Sequence, residues 1–293
     1  MLCNLCPRNC NTDRDTSVGY CKMTNTVKIS RAALHHWEEP CISAENGSGT
    51  VFFSGCNMGC VYCQNQDISH GGFGKEISVD RLAQIFVELQ NKNAHNINLV
   101  TPTHYTPQII KAVEIARKNG LFLPVVYNTS GYEKAENIES LKDTVDIYLP
   151  DFKYFSADTA QKYSFCADYP QRAKEAISAM VRQTGPCVFD DDGVIQKGTV
   201  VRVLVLPGLA EEAKSIIEYL YSTYGDDIFI SIMSQYTPCT NLEKYPEINR
   251  KLTQREYDDV VDFAVELGLE NGFVQEGEAA SESFIPPFNL EGV

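Results

Sequence analysis

From Thr50 onward, apolar runs of strand length alternate with stretches of helical period, and this alternation constrains the fold more than any other feature. The strand candidates are Thr50–Ser54, Ile97–Thr101, Leu123–Asn128, Val145–Leu149, Val200–Leu206 and Ile228–Met233. Helices are expected over Ser78–Asn91, Thr106–Asn119, Glu133–Lys142, Ala157–Phe165, Gln171–Gln183, Ala210–Ser222 and Thr253–Leu267. In the first of these, Val79, Leu82, Ile85, Phe86 and Leu89 fall on one face behind Ser78 as N-cap. Gly272–Gln275 is a further short strand candidate. Repeated strand–helix units imply an α/β protein with a parallel sheet covered by helices. Right-handed crossovers leave an open doubly wound sheet or a barrel. Polar or Gly/Pro-rich loops follow the strands at Gly55–Cys63, Thr101–Tyr105, Thr129–Tyr132, Pro150–Tyr154, Pro207–Gly208 and Ser234–Thr237. A barrel brings all of these to one mouth, so a partial parallel (β/α)6 barrel is expected.

Residues 1–47 lack the alternation and are expected to form a cysteine-rich N-terminal segment ahead of a core at 48–277 and a tail at 278–293. The chain holds 11 cysteines in 293 residues, and eight of them lie within the first 63 positions. The remaining three, Cys166, Cys187 and Cys239, read as small core residues. No apolar run reaches the ~18 residues of a membrane span, and MLCNLCPRNC is not a secretory signal. A cytoplasmic, thiol-reducing location follows as an expectation, with metal or redox chemistry favoured over disulfides. The balance of 39 acidic against 25 basic residues, net −14, argues against a nucleic-acid partner.

Cys56, Cys60 and Cys63 are spaced C-x3-C-x2-C in the loop after the first core strand. Zinc sites and fully ligated iron–sulfur clusters normally take four ligands, whereas only three thiols are grouped here. The simplest reading is a [4Fe–4S] cluster with one open iron; a site completed by a remote cysteine such as Cys41 is the alternative. There is no Walker-type phosphate loop, dinucleotide-binding G-x-G-x-x-G or His-Glu-x-x-His in the chain. The stretch His35-His36-Trp37-Glu38-Glu39 reads as an exposed charged turn.

C-x3-C-x-aromatic-C, with Tyr62 as the aromatic, resembles the radical S-adenosylmethionine (SAM) superfamily. The resemblance implies that the open iron chelates the amino and carboxylate groups of SAM and that the reduced cluster cleaves it to a 5′-deoxyadenosyl radical. Over Gly49 to Gly277 the chain is most similar to relatives of the pyruvate formate-lyase activating enzyme, in a divergent subgroup. Asn128-Thr129-Ser130-Gly131 stands where activases carry an Asp-Thr-Asn-Gly-like turn, and Asp151-Phe152-Lys153 matches their Asp-x-Lys. Val205-Leu206-Pro207-Gly208 matches the segment lining the adenosine. The resemblance places Tyr62 near the adenine, Thr129 and Asp151 near the methionyl carboxylate around a monovalent cation, Lys153 as charge compensation and Gly208 beside the adenosine, with Asn128, in place of the activases' Asp, a further cofactor-binding candidate. In place of the superfamily's Gly-Gly-Glu-like stretch the chain reads Thr101-Pro102-Thr103-His104, so Thr101 and Thr103 become the candidate SAM contacts there. Polar groups of Met233–Tyr236 can face a substrate. The implied reaction is hydrogen abstraction from a glycine of a glycyl radical protein, with modification of a small molecule or peptide as the alternative. The implied electron donor is a reductant such as flavodoxin or ferredoxin. A non-catalytic iron–sulfur or zinc protein serving electron transfer is the competing class.

Cys3, Cys6, Cys10 and Cys21 read C-x2-C-x3-C-x10-C, enough thiols for zinc or for a second iron–sulfur cluster. Cys-Pro-Arg-Asn-Cys followed by Gly19-Tyr20-Cys21 also resembles the lead-in of the activase-related subgroup.

Overall fold

A computed structural model describes residues 2–238, 242–275 and 286–293; Cys239 and the expected core–tail boundary at 277/278 lie outside them. The strands are β1 Val27–His35, β2 Ser48–Phe53, β3 Lys75–Ile77, β4 Ile97–Val100, β5 Val125–Thr129, β6 Ile147–Pro150, β7 Val188–Phe189, β8 Ile195–Leu204, β9 Phe229–Met233 and β10 Gly272–Val274. The helices are α1 Pro40–Ser43, α2 Gln66–Ser69, α3 Val79–Asn91, α4 Thr106–Lys118, α5 Ala135–Glu139, α6 Ala157–Ser164, α7 Tyr169–Thr184, α8 Ala210–Tyr224 and α9 Gln254–Glu266. Local signals in the sequence set the long helices. The Ser78 hydroxyl accepts from the Arg81 N–H to start α3, and Thr253 and Glu256 form a capping box at α9.

The sheet runs β10-β9-β8-β6-β5-β4-β2-β1-β3, with β7 beside β8. From β2 to β10 every neighbouring pair is parallel and follows chain order without reversal. That winding is a barrel's, not a doubly wound sheet's, because a doubly wound sheet reverses direction at a switch point. β10 and β3 end the sheet at opposite edges, so the barrel stays open. The main apolar packing unites β2, β4 and β5 with α3 and α4, and β8 and β9 with α8 and α9. No helix among the described residues is long and apolar enough to cross a membrane.

Residues 1–47 do not stand apart from this sheet. β1 pairs antiparallel with β2, placing His35 opposite Ser48. A register shift between Ile29 and Arg31 interrupts the period-two pattern, and this bulge hides the strand from periodicity. Because β1 runs against β2, residues 36–47 return across the N-terminal end of the barrel. There Cys41 and Ile42 pack on the inward side chains Val126, Ile147, Leu149 and Val200. Asn96 fastens this plug, donating to the Ile42 carbonyl at 2.7 Å while accepting from the Ser48 hydroxyl at 2.6 Å. The other edge of β1 is covered by the C-terminal residues: Ala32 N–H donates to Glu291 O at 2.8 Å and Leu290 N–H to Ser30 O at 3.0 Å. Arg31 adds an ion pair to Glu291 at 2.7 Å and a hydrogen bond to Asn289.

Candidate functional site

β2 ends at the loop carrying the three spaced cysteines. Gly55 makes the exit with φ +85°, and a Cβ there would lie 2.6 Å from the Cys21 carbonyl, so the turn requires glycine. Each of the three sulfurs has local hydrogen-bonding support. Met58 N–H donates to Cys56 Sγ at 3.4 Å, Ser164 Oγ to Cys60 Sγ at 3.0 Å, and Ser69 Oγ lies 3.2 Å from Cys63 Sγ. Burial pushes the Cys56 and Cys63 thiols up, while the Lys153 charge opposes this at both. Thiols of this kind give up their protons to a bound metal centre. All three line one end of a cavity of about 530 Å³, a normal volume for a small-molecule site. No fourth cysteine lies on that cavity wall among the described residues. No three His, Cys, Asp or Glu side chains among the described residues converge closely enough for a single metal ion. Three hydrogen-bonded thiols spread along one wall fit a multi-iron cluster with an open position better than a mononuclear zinc site.

Below the cysteine loop the barrel interior carries a charged belt. Arg202, inward-facing on β8, donates to Asp151 Oδ1 at 2.8 Å, Asn128 Oδ1 at 2.7 Å and Glu38 Oε2 at 3.2 Å. Lys153 closes on Asp151 Oδ2 at 2.6 Å. Burial alone would raise the Asp151 carboxyl; Arg202 and Lys153 outweigh it and hold the group below the usual carboxylate range. Glu38 reaches the belt from the plug and also accepts from Asn98 Nδ2 at 3.1 Å. Burial pushes both Glu38 and Glu39 upward, with Arg202 acting in the opposite direction.

Six of the residues expected to hold a cofactor, Tyr62, Thr101, Asn128, Thr129, Asp151 and Lys153, line the cavity together with the three cysteines. Met233, Gln235 and Tyr236 line it as well. Two expectations are corrected. Thr103 turns its hydroxyl away to Glu133 Oε1 at 2.5 Å and is not on the cavity wall. Gly208 gives its N–H to Glu256 Oε1 at 2.8 Å, in the cap of α9, and is also absent from the wall. The expected exposed turn holds for His36 and Trp37 and is corrected for the two acids: the Glu38 and Glu39 side chains are buried on the cavity floor because the plug inserts them. His104 is not on the cavity wall; its Nε2 lies 2.8 Å from the Ser54 carbonyl, so that nitrogen carries the proton, and burial holds the ring neutral with a pKa of about 3.

Sequence reasoning missed Glu38, Glu39, Arg202 and Glu133. Arg202 had a signal, as the one charge in the otherwise apolar run Val200–Leu206. Glu133 is fully buried and accepts from Thr103, Thr129, Asn137 and Tyr127; burial, partly offset by these donors, raises its pKa to about 7. Gly131 permits this turn, since its φ is +77° and a Cβ would collide with the Asp151 carbonyl.

The N-terminal cysteines form a knot behind the cysteine loop. Cys10 and Cys21 converge at Gly19, where a Cβ would lie 3.4 Å from one sulfur and 3.6 Å from the other. Tyr20 N–H donates to Cys10 Sγ at 3.1 Å. Burial pushes the Cys6 thiol up to about 12 and raises Cys21 as well. From within Cys6–Cys10, Arg8 spans to the loop, donating to Asn57 O at 2.9 Å, Met58 O at 2.6 Å, Ser164 O at 3.1 Å and Phe165 O at 2.6 Å. Cys166 is buried in the outer core and Cys41 in the plug.

Residues 50–220 match the family model of the radical SAM superfamily, more than half of the chain. The uncharacterised protein MJ0674 of Methanocaldococcus jannaschii is 29% identical over 277 residues, covering 92% of this chain and 75% of the relative. Among solved structures, Streptococcus suis SuiB bound to SAM superposes with a TM-score of 0.52 at 13% identity, over 78% of this chain and 52% of that one. HydG, a maturase of the [FeFe]-hydrogenase, gives 0.51 at 16% identity, over 80% and 54%. The chain therefore spans about half the length of these solved structures, and at such identities they establish a shared fold.

Proposed function

The chain belongs to the radical SAM superfamily, and from that premise we propose that it uses Cys56, Cys60 and Cys63 to hold a [4Fe–4S] cluster and abstracts hydrogen from a substrate in the cavity beneath them. The competing reading of a non-catalytic electron-transfer protein gives way to an enzyme. When bound, the reduced cluster and SAM supply a 5′-deoxyadenosyl radical. The chain's own residues bind and orient. Tyr62 would flank the adenine, with its hydroxyl fixed 2.7 Å from that of Tyr154. Thr101, Asn128, Thr129, Asp151 and Lys153 offer donors and charges along one wall for the amino-acid end of SAM. The plug at residues 36–47 closes the barrel's far end and limits water. The observation that carries this reading is the convergence of the three spaced cysteines and these six wall residues on one cavity.

The activase-like resemblance makes a glycine of a glycyl radical protein the first substrate reading, with flavodoxin or ferredoxin as electron donor. The charged belt favours a second, modification of a small molecule or peptide, because an uncharged glycine needs no ion pairs at the cavity floor. Anaerobic reconstitution, reduction and addition of SAM test the enzyme: 5′-deoxyadenosine should form well above a Cys63→Ala control, and its absence rejects the reading. Deuterium transfer into 5′-deoxyadenosine from labelled candidate proteins, against labelled small molecules, separates the two substrates.

A further inference from the structure

Glu39 stands out among the charges on the cavity floor. It is 8% exposed and lines the cavity, and its Oε2 has no hydrogen-bond partner. Its neighbours are already committed. Arg202 is held by Asp151 at 2.8 Å and Glu38 at 3.2 Å, and Lys153 by Asp151 at 2.6 Å. The Ser231 hydroxyl supports the Glu39 carboxyl and the Arg202 charge acts on it, yet among the described residues no ion pair makes direct contact with it. Asp151, Glu38 and Glu39 share two cations, Arg202 and Lys153, so burial pushes Glu39 toward its neutral form and only a further cation at the floor would favour its carboxylate. Such a charge is costly to keep unless a partner completes it. The cavity is also lined by Trp37 and Phe273, side chains of a type that attracts cations.

We propose that Glu39 is a substrate-recognition site for an organic cation with N–H donors, an ammonium or guanidinium group, which docks against its carboxyl group at the floor and draws the buried, unpartnered Oε2 into the contact. This rests on reading the cavity as the radical site. It gives the substrate an orientation: the cation points to the plug, and the carbon losing hydrogen lies toward the cysteine loop. Glutamate fits the task because a carboxylate accepts several N–H donors.

The test is calorimetric titration of the cluster-loaded protein under anaerobic conditions with 1,5-diaminopentane and agmatine. 1,5-Pentanediol and glutarate serve as neutral and anionic counterparts. Both cations should bind and both counterparts should not. Glu39→Gln should weaken diaminopentane at least ~10-fold, while SAM affinity and substrate-free 5′-deoxyadenosine formation stay at the wild-type level. Trp37, the only tryptophan of the chain, gives a readout without a variant: its emission should respond to diaminopentane and not to pentanediol. Nα-acetyl-lysine methylamide separates the sources. Tighter binding than diaminopentane assigns the cation to a peptide side chain, and weaker binding assigns it to a free amine. Failure of the cations to bind wild type, equal binding by Glu39→Gln, or equal binding of glutarate overturns the proposal. So does a loss of SAM affinity in Glu39→Gln, which would make Glu39 part of the cofactor site. Failure of the radical reading is seen separately, as absence of 5′-deoxyadenosine from the wild-type protein.

Discussion

The two cysteine groups of this chain differ in what surrounds their sulfurs. Cys56, Cys60 and Cys63 face a cavity, beside Asp151 and Lys153. Cys3, Cys6, Cys10 and Cys21 belong to a knot on the loop's far side, and Arg8 carries the connection between them through four backbone carbonyls. Cysteine count alone treats these groups alike. Access to open space separates them: the loop cysteines line the cavity, and the N-terminal four do not.

The largest effect expected is at the loop. Cys63→Ala should abolish 5′-deoxyadenosine formation, whereas Cys10→Ala should lower stability but leave turnover per intact cluster nearly unchanged. Equal losses in anaerobic assays would collapse the distinction between the groups. Metal analysis sharpens it next. A triple Ala variant at Cys56, Cys60 and Cys63 should retain about one metal centre if the knot holds zinc or a second cluster, by its four-thiol count; no residual metal would make the knot a metal-free brace of free thiols.

Glu133 lies between the regions, touching Thr129 on one side and raising the Cys6 thiol on the other. Its carboxyl pKa is raised to about 7 by burial, above the value of about 4.5 expected unfolded. Its stabilising contribution is therefore complete below about pH 4.5 and is lost as pH rises toward 7, about 3 kcal/mol in all. Urea unfolding from pH 5 to 8 should show this fall in wild type and a flatter dependence in Glu133→Gln. The smallest effect is expected at the brace. Arg8→Ala should cost about 2 kcal/mol and accelerate cluster loss in air. Arg8→Lys should rescue little, since a single ammonium cannot serve four carbonyls in fork geometry. Thermal unfolding and iron-release rates measure both.

The sequence made the outer architecture readable because helix periods, Ser78 and Thr253 act locally. The cysteine loop was readable for the same reason, its three sulfurs lying within eight residues. The cavity floor was not. Glu38 and Arg202 meet across 164 positions, and nothing near either residue signals the other. β1 escaped because its bulge breaks the alternation that marks a strand, and Thr103 was misplaced because its hydroxyl serves a buried acid reached only through the fold.

The cover on the outer edge of β1 has a consequence for synthesis. Arg31 and its partner Asn289 are separated by 258 positions. At ~5–20 residues per second of translation, the part of that edge beyond the β3 pairing, at residues 30–32, would wait roughly 13–50 s unpaired. A nascent chain in this interval presents an open strand and an array of reactive thiols at the same time. Maturation is then a race between capping that edge and cross-pairing with neighbouring chains, and slower translation would lengthen the hazardous phase.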